Sequence, residues 1–314
     1  MGHYMFKRLL LVLPTLVVPI VLIFTLLRLA PGDPAVVMLG DQATAEQVAK
    51  LRASLGLDQP IYSQFGDWVG QLLHLNLGHS IFFQQSVLST ITDHASVTLQ
   101  LTLLSFALAV VVGVAGGMLA ALYRGRIVDR VVMILAIIGV SLPEFWFGLN
   151  LIFLFAVTVR WFPVSGYIPL ADGFFASERS LVLPALCLGM IQAAFIARLT
   201  RSTVLDVLTE PFVTTARSKG LPERIVVLKH IARAVLVSIL STIGVILGLL
   251  LSGAVAVEVV FALPGLGQLL VDSVGRRDYP VIQGVVLATS LTFVAINLLV
   301  DFLYALVDPR VRYE

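Results

Sequence analysis

Long apolar runs separated by short polar intervals dominate the chain. Leu9–Leu27, Ala95–Leu122, Leu181–Ala197, Ala234–Val257 and Tyr279–Val300 carry no charged residue, and Val131–Val159 carries one, Glu144. A bilayer core of about 30 Å takes roughly 20 apolar residues of helix, so the pattern predicts six membrane-spanning helices. The fourth run is the shortest, and Arg198 can snorkel to extend it. Pro143 predicts a break inside the third span, with Glu144 capping the helix that restarts at Phe145. A role for Glu144 in a translocation path is the competing reading, because it is the one charge in the middle of any span. The first run is read as a retained span rather than a cleaved leader. It is longer than an ordinary leader core, and Ala30-Pro31-Gly32-Asp33-Pro34 follows it where a small-residue cleavage site would stand.

Polar patterning then organises the intervals. Between the first two spans, Thr44 and Gln47 have the spacing of a capping box. Ala45, Val48, Leu51 and Leu55 follow with helical periodicity, and Gly56 stands where that helix would stop. Pro60 opens a second helix with Phe65, Trp68, Val69 and Leu72 on its apolar face. Residues 31–94 therefore read as a small helical subdomain, equally suited to resting on the membrane or to receiving an external partner. Between spans four and five, Pro211 suits a first helical turn, Phe212–Lys219 gives two turns, Gly220 ends them, and Pro222-Glu223 restarts a helix. A short stiff element between two breaks can transmit a push; composition by itself favours an ordinary basic loop.

Composition agrees with the spans: 58% of the 314 residues are hydrophobic and 13% are charged, against about a quarter charged in soluble domains, and the mean hydropathy is +0.98. The net charge of +2 says little, but its distribution sets orientation. Fourteen of the 21 Lys and Arg fall at the two ends and in 123–130 and 198–233. The richer side is expected to be cytoplasmic, which puts both termini inside and 31–94, 160–180 and 258–278 outside. Cys187, the one cysteine, sits in an apolar run and reads as a small buried residue.

Candidate chemistry is mostly exclusion. No G-x-x-x-x-G-K-[ST] phosphate loop is present, so the chain is not expected to hydrolyse ATP, and no H-E-x-x-H or Cys/His metal spacing occurs. The five histidines lie outside the span centres, which argues against an intramembrane serine hydrolase. An ion-coupled carrier needs a mid-membrane charge or broken-helix pair, for which Glu144 is the sole acidic candidate. Asn150, Gln192 and Asn297 are uncharged polar groups within spans, suited to lining a low-affinity conduit or to bonding between helices.

Several motifs carry a resemblance. Glu210-Pro-Phe-Val-Thr-Thr-Ala-Arg-Ser-Lys-Gly220 resembles the E-D-Y-x-R-T-A-R-A-K-G stretch of the dipeptide, oligopeptide and nickel permeases, a branch of the binding-protein-dependent transport permeases. Pro31-Gly32-Asp33-Pro34, Leu55-Gly56-Leu57-Asp58-Gln59-Pro60, Pro264-Gly265-Leu266-Gly267 and Arg277-Asp278-Tyr279-Pro280-Val281-Ile282-Gln283 are similar to motifs of that family in the same order, as are Asn297–Asp301 and Asp308–Tyr313. Two departures stand out. Ala234 and Ser238 occupy places where the family has Asn and Pro, which suggests a straighter entry to the fifth span. Asn76 stands in Leu75-Asn76-Leu77-Gly78-His79-Ser80 where the family has an acid.

The resemblance implies an all-α integral membrane fold of the type I ABC importer permease class, with 1–94 holding the first helix and an extracytoplasmic segment and 95–314 the five-helix core. It implies the inner bacterial membrane, a second homologous permease, two ATP-binding subunits on the cytoplasmic face and an extracytoplasmic solute-binding protein. No nucleic-acid partner is implied. ATP and Mg would be bound by the partner ATPases, and this chain would hold no cofactor. The loop at about 203–233 would couple to them through Glu210, Thr214, Thr215, Ala216, Arg217 and Gly220. The solute class implied ranges over dipeptides, oligopeptides, glutathione, nickel chelates, sugars and opines.

Overall fold

A computed structural model describes residues 2–29, 33–40, 43–54, 56–80 and 82–307. Pro31, Gly32, Leu55 and the 308–313 motif lie outside the described residues. Thirteen α-helices order the described residues: α1 (Gly2–Leu29), α2 (Pro34–Leu39), α3 (Ala45–Ser54), α4 (Ile61–Leu73), α5 (Val87–Leu122), α6 (Ile127–Ser141), α7 (Glu144–Leu151), α8 (Phe174–Val207), α9 (Pro211–Ser218), α10 (Glu223–Ile225), α11 (Ala232–Phe261), α12 (Leu266–Arg276) and α13 (Tyr279–Val307). The described residues contain no β-strand beyond one bridge between His79 and Ser86. Each apolar run of the sequence lies within helix except the third, which breaks at Leu142–Pro143. Four helices, in α5, α8, α11 and α13, are long and apolar enough to cross a bilayer, and α6 with α7 makes a fifth if counted as one broken span.

The chain forms two compact units. The first combines Met1–Val97 with Pro264–Val294. In it the predicted capping box forms: the Thr44 amide donates to Gln47 Oε1 at 2.9 Å, and the Gln47 amide to Thr44 Oγ1 at 3.3 Å. Gly56 leaves α3 at φ +64, the left-handed conformation expected of a C-terminal stop. Pro60 caps α4 from outside rather than opening it. An additional short helix, α2, is capped by the Asp33 carboxylate accepting from the Ala35 amide. The apolar face of α4 meets α1, where Phe24 packs edge-on to Phe65 at 5.1 Å and stacks on Trp68 at 5.7 Å. A second core joins Val87, Ile91, Leu266, Leu269, Val281 and Val285. Asn76, the missing acid of the sequence motif, accepts from the Gly78 amide and closes its own turn. The motif acid Asp278 is buried and accepts a hydrogen bond from Ser80 Oγ.

The second unit combines Thr98–Leu263 with Ala295–Glu314. Its central element is α8, which packs on α6, α7 and α11. The predicted break falls where Pro143 forces Leu142 into extended geometry (φ −83, ψ 133), and the two arms of the third apolar run diverge by 110°. Its second arm continues from α7 into a π-helical stretch, Ile152–Thr158. The fourth apolar run, shortest in the sequence, belongs to one of the longest helices. α8 extends past it in both directions because Ser177, Ser180 and Thr200 are buried within the protein rather than needing solvent. The expectation of a straighter approach to the fifth span needs correcting in part. A π-helical stretch, Val226–Ile231, precedes it, and regular helix begins at Ala232 and passes through Ala234 and Ser238.

Candidate coupling segment and membrane polar groups

The helix between spans four and five is built as its sequence suggests, within a residue at each end. Pro211 is its first residue, and Glu210 is the extended residue before it, without a side-chain cap bond. The amide of Gly220 bonds the Arg217 carbonyl at 2.9 Å, and Gly220 takes φ +73. Pro222 is then the cap of α10. The turn is closed from the side by an ion pair: Arg217 Nη2 lies 2.6 Å and Nε 3.2 Å from the two Glu223 carboxylate oxygens. The Arg217 guanidinium holds the Glu223 carboxyl below its ordinary range. Both partners are well exposed, so the pair sets geometry more than stability.

The two faces of α9 differ. Val213 and Ala216, three residues apart, are buried in a cluster with Ala121 of α5, Val204 of α8, Val226 and Ile231 of the π-stretch, and Val235 and Ile239 of α11. Glu210, Phe212, Thr214, Thr215, Arg217 and Gly220 are exposed. Thr215 spends its hydroxyl on the Pro211 carbonyl at 2.8 Å. Of the proposed coupling residues, Ala216 is therefore an anchor and the others form the outer face. Three helices hold α9 from behind, so a displacement of its outer face is carried into α5, α8 and α11 together. Nearby, Asp129 at the start of α6 takes Arg201 of α8 in a two-point ion pair (2.6 and 2.9 Å) and the Gly125 amide at 2.9 Å. Sequence reasoning missed both ion pairs. Their spacings, 6 and 72 residues, carry no helical signal, whereas the Val213/Ala216 anchor was readable as an i, i+3 pair.

The four polar groups of the spans do not converge on one site. Asn150 is exposed and returns its amide to the Trp146 carbonyl of its own helix at 2.7 Å. Gln192 is buried in α8. Glu144 and Asn297 both press on glycines of α11. A methyl group on Gly253 would stand 2.8 Å from both Glu144 carboxylate oxygens, and one on Gly244 would stand 2.9 Å from Asn297 Oδ1. Nine residues separate the two glycines, about 13.5 Å along the helix. The capping role expected of Glu144 is not what forms. Pro143 is the cap, Glu144 is the first helical residue, and no side-chain cap bond is made. Its position in the first turn is still electrostatically favourable. Cys187 is buried, as expected, with its thiol donating to the Glu144 carbonyl at 3.3 Å.

Glu144 is a half-buried carboxylate without a hydrogen-bond partner among the described residues, so the cap reading is unsupported and the pathway role is the one to test. Glu144→Gln and Glu144→Ala are both expected to change stability by no more than about 1 kcal/mol, the worth of a charge in a first turn. Uptake is expected to fall in both at unchanged assembled level. Normal uptake by the Gln variant, measured per assembled complex, would show that the charge is dispensable.

Comparison with known proteins agrees along the whole chain. Residues 113–313 match the family model described as the binding-protein-dependent transport system inner membrane component, and residues 1–102 match its N-terminal companion. A protein of Brucella abortus (strain 2308), provisionally named a peptide transport system permease, is 45% identical over 314 residues, the full length of both chains. The glutathione transport system permease protein GsiC of Escherichia coli O6:H1 is 43% identical, also over the full length of both. Among solved structures, the MetNI methionine ABC transporter is similar in fold, with a TM-score of 0.58 at 21% identity over 70% of this chain and 97% of that one.

Proposed function

From the premise that this chain belongs to the binding-protein-dependent transport system inner membrane components, and is a permease subunit of an ABC importer, we infer that α9 is where it receives the work of ATP hydrolysis. The observation that carries this reading is the two-sidedness of α9: Val213 and Ala216 locked into three helices, and an exposed outer face that carries Thr214, Thr215 and Arg217. A separate ATPase closing on that face would tilt α9 as a lever, because its inner face is held by the buried cluster and its C-terminal turn is set by Gly220 and the Arg217–Glu223 pair. The chain contributes no phosphate-binding loop of its own, so two ATP-binding subunits, a second permease and an external solute-binding protein complete the importer. The solute is a peptide or a peptide-like molecule such as glutathione, the classes named for the full-length relatives.

In this reading six spans place both termini and α9 in the cytoplasm and the α2–α4 subdomain outside. A cysteine at Ser218 is expected to crosslink to co-expressed ATPase subunits. In intact cells an impermeant thiol reagent is expected to modify a cysteine at Glu46 and to spare one at Ser218; both positions are exposed. Cys187 is buried and adds no background. The opposite labelling pattern inverts the topology and removes α9 from the ATPase side.

A further inference from the structure

The first unit holds a half-open cavity of about 560 Å³ that the coupling reading does not use. This lies within the 300–1,000 Å³ common to small-molecule sites. Its walls come from the ends of α1 and α3, one face of α4, the segments 56–59 and 77–79, and the start of α13. Gln64, Asp67 and Trp68 line it from α4 at helical spacing, Arg28 from α1, and Tyr279 and Gln283 from α13. Arg28 has its Nε engaged with Gln64 Oε1 at 3.0 Å, and its guanidinium carbon lies 4.4 Å from the centre of the Phe24 ring. Its two terminal nitrogens, which could form a fork for a carboxylate, take part in no ion pair among the described residues. Tyr279 and Gln283 are 6% and 7% exposed, and among the described residues the Tyr279 hydroxyl and the Gln283 amide nitrogen have no hydrogen-bond partner. The cation that meets the cavity is Arg28, with a carboxylate, Asp67, elsewhere on its wall, while the two unfilled donor atoms are buried out of reach of water.

We propose that this cavity binds a short zwitterionic peptide, its carboxylate taken by Arg28 and its ammonium by Asp67. Two residues of extended chain span about 7 Å, a length the cavity can hold. Trp68, Leu57 and Leu77 supply the apolar wall that a peptide side chain would meet. The site rests on the importer reading for the class of solute, and adds a station for it in the subdomain that this reading places outside the membrane.

The full-length chain in lipid nanodiscs, carrying Trp146→Phe and Trp161→Phe, keeps Trp68 as its one tryptophan. Titration with dialanine is expected to change Trp68 emission saturably. Dialanine amide, which lacks the carboxylate, and N-acetyl-dialanine, which lacks the ammonium, are each expected to bind at least about tenfold more weakly. Arg28→Gln is expected to weaken dialanine by a similar factor and Arg28→Lys by less. Asp67→Asn is expected to bind dialanine and its acetylated form alike. No saturable signal up to about 10 mM, or equal affinity for the blocked peptides, overturns the proposal; that comparison needs no cavity variant to fold. Dialanine uptake by cells with and without this chain reads the transport role separately. Uptake that depends on the chain, with no binding at Trp68, overturns the cavity and leaves the importer reading standing.

Discussion

Replacing Gly220 by leucine is expected to reduce solute uptake by about tenfold or more while the permease remains in the membrane at its normal level. The reason is conformational. Gly220 sits at φ +73, and nothing lies within 4 Å of where a Cβ would be, so a side chain has room but the backbone does not suit it. Holding a branched L-residue in left-handed geometry costs on the order of 1–2 kcal/mol, too little to unfold a protein of this size. It is enough to shift the turn between α9 and α10 toward other geometries and to separate Arg217 from Glu223. The outer face of α9 then meets an ATPase at the wrong angle, and the energy of closure is dissipated locally. Gly220→Asn is the matched control, because Asn tolerates the left-handed region, and it should retain most uptake. Solute-stimulated ATPase activity in reconstituted complexes provides the decisive reading: it should fall in the leucine variant and persist in the asparagine variant. Equal activity in both would remove Gly220 as a determinant of coupling.

How much of this could be read in the sequence follows the range of the interactions. Local rules reached the capping box at Thr44 and Gln47, the left-handed stops at Gly56 and Gly220, the start of α9 at Pro211 and the break at Pro143, because each depends on one or two backbone groups and their immediate neighbours. Hydropathy reached every long helix, but not its length. α8 runs well beyond its apolar segment because burial among α6, α7 and α11 substitutes for lipid, and a single-chain hydropathy profile cannot see that. Glu144 was misassigned for a related reason. A carboxylate after a proline has the spacing of a cap, but Pro143 itself took the cap position, and the carboxylate turned instead to Gly253, over a hundred residues away. The grouping of Arg28, Tyr279 and Gln283 is equally non-local. Their residue types are ordinary, and only the fold gives them a common cavity.

Glycines in α5 carry the last of these non-local signals. Gly113 and Gly117, four apart, lie on one face of α5, and both are buried. A methyl group on Gly117 would come within 2.4 Å of the Ala197 carbonyl oxygen of α8, and one on Gly113 within 2.6 Å of Ile196. Small residues at this spacing let two membrane helices approach until their backbones touch, and a carbonyl oxygen in a helix cannot move aside as a flexible side chain can. Gly116, one residue away on the same helix, has only an ordinary contact at 3.7 Å, to Val132. Gly116→Ala is therefore expected to be neutral or to stabilise by up to about 1 kcal/mol through helix propensity. Gly117→Ala gains the same propensity but must separate α5 from α8. A net loss of about 1–3 kcal/mol from overpacking is expected, and Gly117→Leu should leave little assembled protein. The consequence extends beyond stability. α8 descends from this contact to Thr200 and Val204, and Val204 is part of the cluster that holds α9. A Gly117→Ala protein that still assembles should accordingly show weaker coupling of ATP hydrolysis to uptake than Gly116→Ala. Thermal melting of the two proteins in detergent, followed by uptake per assembled complex, separates the cases. Identical melting temperatures would mean that α5 and α8 do not approach as closely as their glycines permit.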